Sequence, residues 1–395
     1  MHSPIPLSRF DASVANPAEC RFFPPEAYTS GEFYDFELAA IWSREWIAVG
    51  RAEELPRKGD YFSVRIGSEP VLVVRPADDR IVALSPICRH RGMLVAEDSG
   101  NCGGAFVCPY HGWTYDLQGK LRAAPQMPGV QTFARTEVAL PQLRVEVWQG
   151  IVFVNFDAAA APLAPRLQAL EPLLRNWRLA DLRGEFLRDP NYRMQFDHAW
   201  NWKVYSEGQS ECYHCDKLHR HTPIMQGLDF NSMDMDIADA AAGVWAFHIG
   251  SNVDDPTINH LGHAVLPAIG SLTPQQRRLT YAITIAPNVF MALMADSVVM
   301  LNWMPTGAAS MRVKRHRLYP QSTLDLPDFA ERHRPETQAT REFVEQDEYA
   351  FERVQAGLRS RFAPRGPVTA REPVLVGFNR WLVDRYRLAD RNARA

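Results

Sequence analysis

Two short segments of the 395-residue chain each pair a thiol with an imidazole: Cys88-Arg89-His90 and, after 17 intervening residues, Cys108-Pro109-Tyr110-His111. Thiolates and imidazoles are soft or borderline ligands, so four of them brought together can hold one metal centre. A zinc site built from two cysteines and two histidines normally groups its cysteines on one segment and its histidines on another. Here each segment is mixed, which suits a two-iron, two-sulfide centre with the thiolates on one iron and the imidazoles on the other. Cys102 lies between the segments, outside the pattern, and reads as a small buried thiol.

A second group lies downstream, where Glu211, His214 and His219 follow one another closely. Glu211 and His214 are three apart and would share one face of a helix predicted over 198–219. Two imidazoles and a carboxylate on one face of a ferrous ion form a facial triad that leaves positions open for dioxygen. A helix predicted over 335–360 offers the carboxylate, because Phe343, Asp347, Phe351, Val354 and Leu358 recur at helical spacing and put Asp347 in an apolar stripe. Burying a carboxylate there is costly unless it meets a cation, either a metal or an arginine such as Arg353. Cys212 and Cys215 frame the motif as C-x2-C, a pattern also used for zinc or redox chemistry. His221 competes with His219 as a ligand, whereas His260 and His263 have no partnering motif.

The frame carrying these residues has ordinary globular composition, with 46% hydrophobic and 23% charged residues, which excludes intrinsic disorder. Its 43 basic against 46 acidic side chains argue against a nucleic-acid partner. No apolar run reaches the ~18 residues of a membrane span, and the N-terminus lacks a secretory pattern. A cytoplasmic, reducing setting follows, in which six cysteines speak for metal or catalysis rather than a disulfide framework. Residues 46–157 read as short strands: Phe62, Val64 and Ile66 alternate, Gly67-Ser68-Glu69-Pro70 turns the chain, and 71–74 and 81–84 flank a turn at Asp78-Asp79. Segments 143–147 and 151–154 around Gln149-Gly150 form a predicted hairpin. Between these groups, 87–128 is aperiodic and rich in Gly, Cys and His, as functional loops are. The Ala- and Pro-rich run 158–165 marks a boundary near 160. Beyond it, helices over 166–178, 198–219 and 335–360 mix with strands over 281–285, 289–294 and 311–318, an α+β pattern.

Cys88-Arg89-His90-Arg91-Gly92 and Cys108-Pro109-Tyr110-His111-Gly112-Trp113 resemble the Rieske motifs of ring-hydroxylating-type oxygenases. Respiratory Rieske proteins carry an extra cysteine in each loop, where this chain has Met93 and Tyr110. Glu211-x2-His214-x4-His219 and the stretch from Gln346-Asp347 to Gln355-x-Gly357-Leu358 resemble the iron motif and C-terminal ligand segment of the same family. The resemblance implies a 2Fe-2S cluster on Cys88, His90, Cys108 and His111, and a mononuclear Fe(II) on His214, His219 and Asp347. It implies Glu211 as an electron-transfer bridge between an iron-ligating histidine and a Rieske histidine, His111, of a neighbouring subunit in a head-to-tail homotrimer. Cys212 and Cys215 have no ligand role in it. The implied fold is an N-terminal segment, 1–40, packing on the catalytic domain, a Rieske β domain over 41–160, and a helix-grip, START-like catalytic domain of antiparallel sheet and long helices over 161–395. Dioxygen and a flavin- or ferredoxin-type reductase using NAD(P)H are the implied partners.

Glu at 211, within Glu-Cys-Tyr-His-Cys and with no sign of a partner β subunit, resembles the branch that oxidises glycine betaine, stachydrine, carnitine and choline. That implies a monooxygenase acting on a quaternary ammonium or N-methyl compound by oxidative N-demethylation or C–N cleavage. Aromatic faces attract such a cation by roughly 0.5–2 kcal/mol each, and Trp245, Phe247, Phe290 and Trp303, with Glu207, are the pocket candidates. The chain departs from the branch at Glu207-Gly208-Gln209, where Glu-Asn-Tyr is usual, and at Arg220, where proline is usual. Arg312, Lys314 or Arg315 could instead pair with a carboxylated aromatic substrate, leaving ring hydroxylation or dioxygenation as an alternative. A Rieske electron-transfer protein without oxygenation is the alternative of another class.

Overall fold

A computed structural model describes residues 1–77, 80–127, 130, 133–187 and 194–394. The turn at Asp78-Asp79, and Pro128 at the end of the aperiodic segment, lie outside the described residues. The chain divides into two compact units, Trp42–Leu163 and Met1–Ile41 with Ala164–Ala395.

The 42–163 unit is built on an antiparallel sheet of seven strands. These are β1 (Ile47–Arg51), β2 (Asp60–Ile66), β3 (Glu69–Ala77), β4 (Arg80–Leu84), β5 (Ser99–Asn101), β9 (Gln142–Trp148) and β10 (Ile151–Asn155), in the order β1-β10-β9-β4-β3-β2-β5. A smaller sheet holds β6 (Ala105–Val107), β7 (Thr114–Asp116) and β8 (Leu121–Ala123). Its Phe106, Tyr115 and Leu121 share a core with Leu72, Val74 and Leu84 of the larger sheet. The β9–β10 hairpin turns at Gln149-Gly150 with φ of 50° and 79°, the two positive values of a type I′ turn. A side chain at 150 would also collide with the buried Arg51 guanidinium.

The other unit centres on a mostly antiparallel run of strands: β11 (Arg183–Gly184), β12 (Gln195–His198), β13 (Leu228–Asp239), β14 (Val244–Ser251), β15 (Leu279–Ile285), β16 (Val289–Leu293), β17 (Val298–Gly307) and β18 (Ser310–Tyr319). The order is β11-β18-β17-β16-β15-β14-β13, with β12 also pairing to β18. The long apolar run of β17 is buried on both faces, whereas edge strand β13 is largely exposed and carries four aspartates, charges that discourage pairing with another chain. The longer helices are α1 (Gly31–Glu37), α2 (Trp202–Gln209), α4 (Phe329–Leu358) and α5 (Pro373–Arg394), with a single turn, α3 (Cys215–Leu218), after α2. The N-terminal segment packs on this unit through Phe10 and Phe33 against Tyr386, and through a fully buried ion pair of Glu37 with Lys203 at 2.7 Å.

Three expectations are corrected. The helix expected over 198–219 is a strand end, α2, a turn and α3, because the Glu211 carboxylate accepts the backbone N–H groups of Tyr213 and His214, as an N-cap side chain does. The helix expected over 166–178 is broken into short turns, Leu163–Leu167 and Glu171–Leu174, with Pro165 and Pro172 in them. Helix α4 begins at Phe329, ahead of the expected 335, and its stripe departs from pure apolarity: Val354 is exposed and Gln355 is buried, accepting the Asn201 backbone N–H at 2.7 Å. Helix α5 was not anticipated, although Val374, Phe378, Trp381, Leu382 and Tyr386 bury one face at helical spacing. Among the described residues no helix is long and apolar enough to cross a membrane.

Candidate metal centres and substrate pocket

The loops bearing Cys88 and Cys108 have the same backbone geometry. In each, the cysteine N–H donates 2.8 Å to the carbonyl five residues on (Met93, Trp113), and the glycine four residues on (Gly92, Gly112) donates 3.0 Å back to the cysteine carbonyl. Both glycines take positive φ, 75° and 72°, which side-chain-bearing residues rarely adopt. The two thiols are buried and the two imidazoles exposed, with ring centroids of His90 and His111 4.5 Å apart. Trp113 stacks on His90 at 5.0 Å, and the Tyr115 hydroxyl lies 3.4 Å from Cys88 Sγ while accepting the Arg89 N–H at 3.0 Å. Two buried thiols under two adjacent imidazoles suit a cluster that uses one pair on each iron. Cys102 sits apart, its Sγ donating to the Gly59 carbonyl at 3.3 Å.

In the other unit, His214, His219 and Asp347 bring one ligand atom each within 4.8 Å of one another. His214 comes from the turn before α3, His219 from its end, and Asp347 from the middle of α4. His219 Nδ1 bonds Gln346 Oε1 at 2.7 Å and its ring stacks on Phe343 at 3.7 Å, which leaves Nε2 beside Asp347 Oδ1 at 3.0 Å. His214 is held in the same way, with Nδ1 on Glu211 and Nε2 3.5 Å from Asp347. An acceptor on each Nδ1 fixes the tautomer and frees Nε2 for a cation, so this donor set fits an iron of the 2-His-1-carboxylate type. Arg353 does not neutralise Asp347; it donates to the Tyr349 carbonyl and stacks on that ring. His221 is exposed and takes the Arg220 Nε–H at 2.9 Å, and Cys212 and Cys215 are joined in a disulfide.

Glu211, His214 and Asp347 line a cavity of about 540 Å³. Of the pocket candidates, Phe247 and Phe290 face it, and Trp245, Trp303 and Glu207 do not. Trp245 shares the strand face of Phe247, but α5 covers its level, with Phe378 6.1 Å away. Trp303 shares the face of Val299 and Leu301, and the Tyr205 ring covers it at 5.4 Å. Glu207 accepts the Tyr28 hydroxyl at 2.6 Å instead. Sequence reasoning missed Tyr205, Trp200 and, as pocket walls, Phe343 and Phe351. The last two were detectable, each being four residues from Asp347 and so on its helical face. The Gly208 departure also has a cause: a side chain there would run into the Phe351 ring. Arg312 lies outside the cavity in an ion pair with Asp197 at 2.7 Å, Lys314 is buried outside it, and Arg315 lines it.

Residues 45–134 match the Rieske [2Fe-2S] domain family, and residues 187–388 match the ring hydroxylating alpha subunit (catalytic domain) family. The chain belongs to the ring-hydroxylating alpha-subunit family, with a Rieske domain ahead of the catalytic domain, and these domains imply a 2Fe-2S cluster and a mononuclear iron. It is 31% identical over 212 residues to the carnitine monooxygenase oxygenase subunit of Acinetobacter pittii, covering 52% of this chain and 54% of that one. It is 30% identical over 270 residues to the chloroplastic choline monooxygenase of Arabidopsis thaliana, covering 66% and 62%. The chain thus spans little more than half the length of the curated relatives it matches. Its fold is similar to the quaternary ammonium Rieske monooxygenase CntA, with a TM-score of 0.78 at 22% identity, covering 98% of this chain and 100% of that one.

Proposed function

We propose that this chain is the oxygenase component of a cytoplasmic Rieske monooxygenase that oxidises a small quaternary ammonium or N-methyl compound. Dioxygen and electrons from a flavin- or ferredoxin-type reductase using NAD(P)H complete the reaction. The observation that carries this reading is the convergence of His214, His219 and Asp347 on the wall of a cavity faced by Phe247 and Phe290. The activities for which the carnitine and choline monooxygenase relatives are named support the substrate class.

Cys88, His90, Cys108 and His111 would hold the cluster, and His214, His219 and Asp347 the iron. When bound, the cluster supplies single electrons and the iron activates dioxygen. Glu211 and Gln346 orient the two imidazoles through Nδ1. In a head-to-tail homotrimer the Glu211 carboxylate would also accept a hydrogen bond from His111 of the partner subunit, a short path for electrons. The aromatic walls exclude water and attract a substrate ammonium by roughly 0.5–2 kcal/mol per ring. Hydroxylation of an N-methyl or adjacent carbon leaves a carbinolamine, which falls apart by C–N cleavage into an amine and a carbonyl compound.

The test is the mass of the product when the reduced, iron-loaded protein meets quaternary amines and aromatic acids under oxygen. Loss of a methyl group or C–N cleavage from an amine is expected. Oxygen added to an aromatic acid, with the amines untouched, would sink the substrate assignment.

A further inference from the structure

Cys212 and Cys215 form a motif that the proposed reaction leaves unused, and the structure joins them in a disulfide on the wall of the cavity. The other four cysteines are free thiols. C-x2-C is a spacing used by dithiol pairs that open and close by thiol–disulfide exchange. In the reducing setting expected of this chain, such a bond is more often transient and redox-sensing than structural.

Its place ties it to both histidines of the triad. The bond closes a ring of four residues, Cys212-Tyr213-His214-Cys215, with His214 inside the ring and Glu211 immediately before it. Upstream, the hydroxyl of buried Ser210 is held by Thr284 of β15 at 3.1 Å. Downstream, Cys215 opens α3 and its carbonyl accepts the His219 N–H at 3.2 Å, so the second histidine hangs from the same residue. Helix α3 is a single turn, too short to hold itself in water. The Glu211 carboxylate braces the turn through the N–H groups of Tyr213 and His214, and the disulfide adds a covalent brace. Opening the bond returns conformational freedom to the stretch from Ser210 to His219. The two sulfurs are unequally reachable, since Cys215 is buried and Cys212 half-buried, and both residues line the cavity.

We propose that Cys212 and Cys215 are a thiol–disulfide switch on the iron site. The closed bond holds His214 and His219 in the triad geometry, and reduction by a low-molecular-weight thiol that enters the cavity loosens both ligands and lowers the affinity for ferrous iron. The first thiolate attacks Cys212 Sγ, the bond to Cys215 breaks, and Cys215 leaves with the electron pair and takes up a proton. A second thiolate attacks the small thiol's sulfur in the mixed disulfide, and Cys212 leaves as a thiol. Two electrons and two protons pass from two small thiols, which depart as their own disulfide, to the cysteine pair. A small disulfide drives the same steps in reverse. The switch rests on the triad holding iron, and not on the substrate class.

Anaerobic equilibration of the as-isolated holoenzyme in glutathione buffers, from fully oxidised to fully reduced, followed by alkylation and peptide mass mapping, tests the exchange. Cys212 and Cys215 should become alkylated together as the buffer is made more reducing and close again on return, with acid-labile sulfide unchanged. Ferrous iron titrated back into each form, after chelation and removal of the glutathione, should bind roughly tenfold more weakly to the reduced form and regain its affinity on reoxidation. The double variant Cys212→Ser, Cys215→Ser should bind iron as weakly as the reduced protein and ignore the glutathione ratio. A pair alkylated at every ratio, or at none, overturns the proposal, as does equal iron affinity in the two forms or tight binding by the double variant. Absence of iron from both forms overturns the triad reading and the switch with it.

Discussion

The two metal-competent sites present their imidazoles in opposite ways. His90 and His111 stand exposed on paired loops above buried thiols, whereas His219 is wholly buried and His214 and Asp347 face an interior cavity. The loop site is local: each cysteine, its glycine and its hydrogen bonds lie within six consecutive residues. The triad is long-range, since Asp347 stands 128 residues from His219 in sequence and reaches it only through the packing of α4. A site that hands on electrons needs imidazoles near the surface. One that activates dioxygen beside a substrate needs a walled space, and only tertiary packing builds one.

The sharpest test of this contrast is to remove each site separately. Asp347→Ala should lower bound iron by about one per chain and product formation by at least about 100-fold, while acid-labile sulfide and the visible spectrum of the cluster stay unchanged. Cys108→Ser should do the reverse, losing sulfide and colour while iron remains at the triad. Loss of the cluster in Asp347→Ala would break the distinction between a local and a long-range site.

Smaller effects should report on how α4 is held. Gln355→Leu leaves the buried Asn201 N–H without its acceptor and should cost about 1–3 kcal/mol in denaturant unfolding. Gly208→Ala should push the Phe351 ring toward the cavity and raise KM several-fold with little change in melting temperature; an unchanged KM would mean the ring has room to yield elsewhere.

The mildest effect concerns pH. Burial, opposed by Arg317 and reinforced by Asp296, pushes the Glu336 carboxyl up to about 8. The unfolded-chain value is about 4.3, so the stabilisation from the folded state's tighter hold on this proton is full below that pH and is lost as pH rises through the folded value. Glu336→Gln keeps a partner for the Tyr319 hydroxyl and should flatten the decline in melting temperature between pH 5 and 9. An unaltered slope would show that another group carries the proton.

The cluster loops were legible because their information is local. Cysteine, histidine and glycine at fixed offsets express one backbone geometry twice, and the hairpin at Gln149-Gly150 was readable for the same reason. Asp347 was legible because a carboxylate in an apolar helical stripe is costly to bury without a cation. The turn at Glu211 was not, because a side chain accepting backbone N–H groups overrides a helical spacing that looks continuous in sequence.

The pocket belonged to tertiary structure almost entirely. Trp245 and Phe247 share one strand face and have similar chemistry, yet α5 covers the first and the cavity takes the second. The sequence listed three basic residues on one strand without ranking them. Alternation turned Arg315 toward the cavity, where Glu348 feels its charge, and packing placed Arg312 and Arg317 in ion pairs with Asp197 and Glu336. Residue type and spacing thus determined which chemistry this chain could hold. Which side chains share a space was decided by elements far apart in sequence, because contact is a property of packing and not of order along the chain.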